Sequence, residues 1–156
     1  ALTGHLVCST LHTNSSVETI TRLVNMGIPN YLISSSVSLI VGQRLARKIC
    51  QDCKIEDKNV SPKLLKQMKL PSDIKAYVGK GCSKCGNAGY KGRQGIYEIL
   101  KMTEDLQDGI LKNLTIPEME KIAKKEGFQS MQEIGSNYIN EGILSLEEYQ
   151  RTLFIS

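Results

Sequence analysis

The chain has 156 residues, 40% hydrophobic and 23% charged, the make-up of a soluble globular domain or of two small lobes. No apolar run approaches the roughly 18 residues of a membrane span, and two Phe with no Trp offer little for stacking on single-stranded bases. The net charge of +4 is mild, with basic residues scattered among acids. The densest cluster (Arg44, Arg47 and Lys48) reads as a solvated face, with an acidic partner, lipid headgroups or phosphate as the alternative.

The chain opens Ala-Leu-Thr-Gly-His, without an initiator Met, a basic leader or a signal peptide, and is expected to be a piece of a larger protein. Leu6 to Leu11 reads as a strand, an apolar run broken by Cys8, Ser9 and Thr10. Cys8 within it is expected to be a small buried hydrophobe. Ser15 and Glu18 have capping-box spacing ahead of Val17, Ile20, Leu23 and Val24 at helical spacing, closed by Gly27 and Pro29. A second helix is expected over Tyr31 to Ile40.

From Gln43 to Ile49 the pattern turns to alternation, and Gly95 to Leu100 forms a second strand-like run. The connection between them is expected to carry a metal knuckle and an inserted helix, started by Ser61 as N-cap and Pro62 at the first helical position. Beyond Leu100 the sequence stays helical. Thr103 caps a segment running to Leu114, and Pro117 opens another that Gly127 closes. Met131, Ile134 and Tyr138 mark a third, and Ser145 with Glu148 has capping-box spacing for a fourth.

The strongest chemical signal lies in that connection. Cys50-Gln51-Asp52-Cys53 and Cys82-Ser83-Lys84-Cys85 are two CxxC pairs separated by residues 54–81. Two residues between cysteines let both thiolates of a tight turn reach one ion, and two such turns close a four-sulfur shell. Gly81, Gly86 and Gly89 suit backbones that curl around sulfur. The pattern points to structural zinc, because a closed shell has no position for a reacting water. Redox-active pairs or disulfides are the alternative, and a four-sulfur site also accepts iron.

The histidines are less informative alone. His5 and His12 lie seven apart, so in a straight strand they point to opposite faces. His12 would end that strand just before a capped helix, where open α/β sheets bind ligands. A packed or solvated histidine explains the pattern equally well.

The wording of the segment settles more. TGHLVCSTLHTN resembles the histidine box of the ATPases that power type II secretion and type IV pili. NMGIPNYLISSSVSLIVGQRLARKICQDCK, GCSKCGNAGYKGRQGIYEIL and GFQSMQEIGSNYINEGILSLEEYQRTLF resemble the family's approach to its first cysteine pair, its second pair, and its helical C-terminus. Within the family the wording is closer to pilus-extension motors than to secretion motors. The departure is Cys8, where a plain aliphatic residue is expected.

The resemblance implies an α/β fold: the C-terminal portion of a RecA-like P-loop NTPase with a four-cysteine zinc insertion and a C-terminal helical subdomain. Residues 1–49 would belong to the ATPase core, 50–92 to the zinc insertion, 93–100 to a returning core strand and 101–156 to the helical subdomain. His5 and His12 match the histidine-box positions, with His12 near the γ-phosphate or its attacking water. Thr10, Thr13 and Asn14 would hold that corner. Arg93 matches a family arginine, with a nucleotide contact or a structural ion pair as its role. The full protein would be a cytoplasmic homo-hexamer, peripheral at the inner membrane, using ATP and Mg2+. Its partners would be a platform protein and other assembly proteins, with no nucleic acid.

The chain holds no GxxxxGK[ST] loop and no apolar strand ending in paired acids. The resemblance places both before Ala1, so these residues alone are expected not to hydrolyse ATP. A type II secretion motor and a non-catalytic zinc-ribbon interaction module are the competing readings.

Overall fold

The computed structural model describes residues 4–154. In chain order it contains α1 (Ser16–Asn25), α2 (Asn30–Ser36), β1 (Leu39–Ile49), β2 (Lys54–Glu56), α3 (Pro62–Gln67), β3 (Tyr77–Gly79) and a 3-10 turn (Ser83–Cys85). Then follow β4 (Tyr90–Lys101), α4 (Glu104–Leu111), α5 (Ile116–Lys125), α6 (Met131–Asn140) and α7 (Leu146–Leu153). The fold is mixed α/β. β1 pairs with β4, and β2 pairs antiparallel with β3, Ile55 opposite Val78.

The chain forms two compact units, each of two segments: residues up to Gly42 with Glu98–Ser130, and Gln43–Tyr97 with the chain from Met131 onward. Two of the three divisions fall inside the long strands β1 and β4, and the third falls just before α6.

In the first unit the Ser15 hydroxyl accepts the Glu18 N–H at 3.1 Å, capping α1 as its sequence requires. Val17 and Ile20 of α1, Ile33 of α2, Leu100, Leu106 and Ile110, and Met119 and Ala123 of α5 form its core. Each such large aliphatic contributes about 1.5–3 kcal/mol by leaving water. The buried Glu98 carboxylate accepts the Ser16 N–H at the start of α1. A negative group there satisfies an orphan donor and opposes the helix dipole favourably. Thr115 and Glu118 form a capping box on α5 that the sequence reading passed over.

Three expectations need correction. Leu6 to Leu11 is not a strand: Leu6 and Val7 are exposed, and none of the described strands pairs with this stretch. A strand without a ladder leaves its N–H and C=O groups to water, and apolar composition alone does not hold it extended. Cys8 is accordingly exposed, not buried. The second helix stops at Ser36, because Val37 turns extended and Leu39 already begins β1. The Ser38 carbonyl accepts the Met102 N–H at 3.1 Å, a tertiary bond that helical spacing could not announce.

The second unit packs Ala46 and Ile96 of β1 and β4, Leu65 of α3 with Met68 just after it, Met131 and Ile139 of α6, and Leu144, Leu146 and Tyr149 into one core. A Cβ at Gly135 would lie 2.7 Å from the Tyr149 ring, so glycine lets α6 and α7 close on each other. Ser145 caps α7 as expected, accepting the Glu148 N–H at 3.1 Å.

Glu148, however, spends its carboxylate elsewhere. Fully buried, it accepts the Arg47 backbone N–H at 2.7 Å and Arg47 Nε at 2.9 Å, and takes Arg151 Nε at 3.0 Å. Burial alone would raise its pKa, but the bonds from Arg151 and Arg47 win and hold it at about 2. The folded pKa lies below the unfolded one, so the stabilisation is complete above about pH 4.5 and is lost as pH falls toward about 2.

Glu148→Ala is expected to cost about 3 kcal/mol in urea unfolding at pH 7, since it strands two arginines around an empty site. Glu148→Gln should also flatten the loss of stability between about pH 4.5 and 2 relative to the parent chain.

Candidate metal centre

Both CxxC pairs are folded by the second unit. The first lies where β1 ends, and the Cys53 N–H closes a tight turn on the Cys50 carbonyl at 3.3 Å. The second is the 3-10 turn, where the Cys85 N–H reaches the Cys82 carbonyl at 3.2 Å and Gly86 follows in the left-handed region. Its next amides continue the curl: Asn87 donates to the Cys82 carbonyl and Ala88 to the Cys85 carbonyl.

Two backbone bonds bring the turns together. The Cys50 N–H donates to the Gly89 carbonyl at 2.9 Å, and the Lys80 N–H to the Cys53 carbonyl at 3.1 Å. Glycine permits the approach. A Cβ at Gly79 would sit 2.0 Å from the Gly89 oxygen, and one at Gly89 would sit 2.4 Å from the Gly79 oxygen. Gly81, Gly86 and Gly89 take positive φ, as the curl demands.

The four sulfurs all lie within 4.8 Å of one another. Cys50 faces Cys82 at 3.9 Å, Cys53 faces Cys85 at 4.0 Å, and Cys82 lies 3.7 Å from Cys85. A tetrahedron of sulfurs 2.3 Å from a central ion has edges of about 3.8 Å. The residues present therefore fit a four-thiolate metal. These separations are far beyond a disulfide bond, and all four cysteines are free.

The surroundings act unequally on the sulfurs. Burial pushes the Cys53 thiol up to about 12. Burial acts on Cys85 too, but the N–H groups of Cys82 and Gly89 outweigh it and hold that thiol at about 6. The Cys82 N–H reaches Cys85 Sγ at 3.2 Å. Bound to an ion, this shell leaves no position for substrate or water, so its role is to brace the fold.

Below the turns, the unit is tied to its helices. The Ile49 N–H donates to the Ile143 carbonyl at 2.9 Å, and the Tyr90 hydroxyl meets Ser145 Oγ at 2.7 Å. The Arg47 guanidinium lies 4.2 Å from the centre of the Tyr90 ring.

The other sequence-selected residues do not join this cluster. His5 and His12 are exposed on the irregular stretch before α1, and Arg93 is exposed on β4. Among the described residues the four cysteines are the one group placed to hold a metal ion. Sequence reasoning passed over Gly79, whose need for glycine is visible only once Gly89 lies against it. It also passed over Asp52 and Lys84, which form an ion pair at 2.6 Å. Opposite charges at the third position of both CxxC turns were the available signal.

A family model described as "Type II/IV secretion system protein" matches residues 1–151. The chain belongs to this family. It is 47% identical over 155 residues to the type IV pilus assembly ATPase PilB of Pseudomonas aeruginosa, covering 97% of this chain and 27% of that protein. The Thermus thermophilus type IV pilus assembly ATPase PilB is 38% identical over 95% of this chain and 17% of its own length. The type II secretion system ATPase E of Vibrio cholerae is 41% identical over 97% of this chain and 30% of its own length. This type II/IV secretion system protein thus spans less than a third of these relatives. No helix among its described residues is long and apolar enough to cross a membrane.

Gly89→Ala is expected to abolish the thiolate-to-metal charge-transfer bands that the parent chain develops on titration with Co2+. Gly79→Ala, whose added carbon meets backbone oxygen, should do the same, whereas Gly86→Ala, strained by its left-handed backbone but with open space around the added carbon, should keep them at a cost of about 1 kcal/mol in stability.

Proposed function

We propose that the chain is the C-terminal part of a hexameric, RecA-like ATPase that powers type IV pilus assembly. The observation that carries this reading is the 47% identity to a pilus assembly ATPase across 97% of the chain. On this reading the phosphate-binding loop and the acidic magnesium-holding strand precede Ala1, and the metal cage is a structural zinc site formed by Cys50, Cys53, Cys82 and Cys85. The zinc would supply cross-linking of two turns and no reaction chemistry.

His12, with His5 seven residues before it, would orient the attacking water or the γ-phosphate once ATP and Mg2+ are held by the upstream loop. The exposure of both histidines is compatible with a corner completed by other parts of the protein. Arg93, exposed on β4, is available to a nucleotide or to an acidic neighbour. The enzyme would work in the cytoplasm at the inner membrane, as a homo-hexamer against a platform protein and other assembly proteins. The cysteine knuckle is offered as the docking arm.

A second reading, the motor of a type II secretion system, has its own support in the 41% identity to the Vibrio cholerae ATPase. Deleting the gene separates the two, since loss of surface pili with intact protein export supports the first and the reverse outcome the second.

The isolated chain is expected to show no ATP turnover in a phosphate-release assay; turnover that His12→Ala abolishes would overturn that expectation. In the full-length protein, His12→Ala should lower kcat about a hundredfold while KM for ATP changes little, as loss of a positioning group does. Elemental analysis of the purified protein should find one zinc per chain.

A further inference from the structure

The two CxxC turns face each other in a fixed register. Cys50 meets Cys82 and Cys53 meets Cys85, each pair 32 residues apart along the chain. Between these positions stands a third pair with the same offset, Asp52 and Lys84, the third residue of each turn. The Lys84 ammonium lies 2.6 Å from Asp52 Oδ1, while Asp52 Oδ2 lies 3.9 Å from Cys50 Sγ. Lys84 also feels the charge of Cys82 and Cys50. The ammonium of one turn is therefore bonded to the carboxylate of the other, beside the cysteine sulfurs.

A divalent ion with four thiolates carries a net charge of about −2, which needs nearby donors and cations to persist. Backbone N–H groups of Cys82 and Gly89 act on Cys85, and one from Gly81 acts on Cys53. Metal loss requires the turns to part, and Asp52 and Lys84 span that parting line. We propose that Asp52 and Lys84 are positioning residues that latch the two turns and set the rate at which the cage releases its metal. The inference rests on the metal reading of the four cysteines.

The competing expectation is plain. An exposed ion pair in water is worth little, and both side chains are open, Lys84 at 64% and Asp52 at 39%. If the pair only decorates the surface, removing it leaves the cage unchanged. If it latches the turns, its loss acts on the metal, where outer partners are worth about ten- to a hundredfold in affinity.

The test uses the whole chain loaded with zinc and mixed with a chromophoric chelator in excess. Lys84→Met and Asp52→Asn are expected to release zinc about tenfold faster than the parent, with Lys84→Arg close to the parent. The double variant Asp52→Asn with Lys84→Met should be no faster than Lys84→Met alone, because either single change already opens the latch. Raising the ionic strength should speed release from the parent, whose latch is screened, and have less effect on Lys84→Met. Parent-like rates in Lys84→Met, or a double variant whose acceleration is the product of the singles, would overturn the latch. Titration with Co2+ keeps the underlying reading separate. A parent chain that takes up no cobalt with thiolate bands removes the metal site itself and the latch with it, whereas normal bands with unchanged release remove the latch alone.

Discussion

Two peptide backbones meet at Gly79 and Gly89 with no room for a side-chain carbon on either. That contact lets the end of β1 and the turn before β4 share a face, with Cys50 bonded to the Gly89 carbonyl on one side and Lys80 to the Cys53 carbonyl on the other. Without it, four thiols spread over 36 residues of chain would have no common centre. Other N–H groups of the same turns, those of Cys82 and Gly89, point at the Cys85 sulfur and favour its negative form. Closure follows from the same geometry. A shell of four sulfurs within 4.8 Å of one another surrounds an ion completely and suits bracing, not catalysis.

Beneath the cage, charge is handled in the opposite way. Glu148 is fully buried, yet it remains ionised because Arg47, from the strand that ends at Cys50, and Arg151, one turn along α7, saturate its oxygens. Tyr90, the residue after Gly89, stacks on Arg47 and bonds to Ser145 at the start of α7. The strand ends that carry the cysteines are thereby tied to the last helix through a carboxylate withdrawn from water, though both arginines stay about half exposed, so salt screens the contact only in part. The Asp52–Lys84 pair at the outer end is solvated and works in the regime where screening matters. The two ion pairs differ less in length than in dielectric surroundings, and that difference decides what each contributes.

The nucleotide chemistry we propose would lie elsewhere, in the stretch that carries His5 and His12. That stretch makes no strand here and leaves Leu6 and Val7 in solvent. On the proposed reading this stretch serves phosphate chemistry whose other parts belong to sequence outside these 156 residues. The cage and the helices, by contrast, need only the residues in hand.

Local rules determined a good deal of this protein from its sequence. Ser15, Thr103 and Ser145 cap α1, α4 and α7, and Pro62 and Pro117 sit in the first turns of α3 and α5, because capping and proline geometry depend on a few adjacent residues. The CxxC spacing alone announced a four-sulfur cage, since two-residue turns leave few other uses for paired thiols. Tertiary structure alone decided what depends on distant partners. It ended α2 at Ser36 in favour of β1, left Leu6 to Leu11 without a ladder, and drew the Glu148 carboxylate from its expected cap to Arg47 and Arg151. It also made Gly79 indispensable and set Asp52 against Lys84. A cap is written within four residues, but a ladder, a buried ion pair or a backbone crossing exists only when chain remote in sequence arrives to complete it.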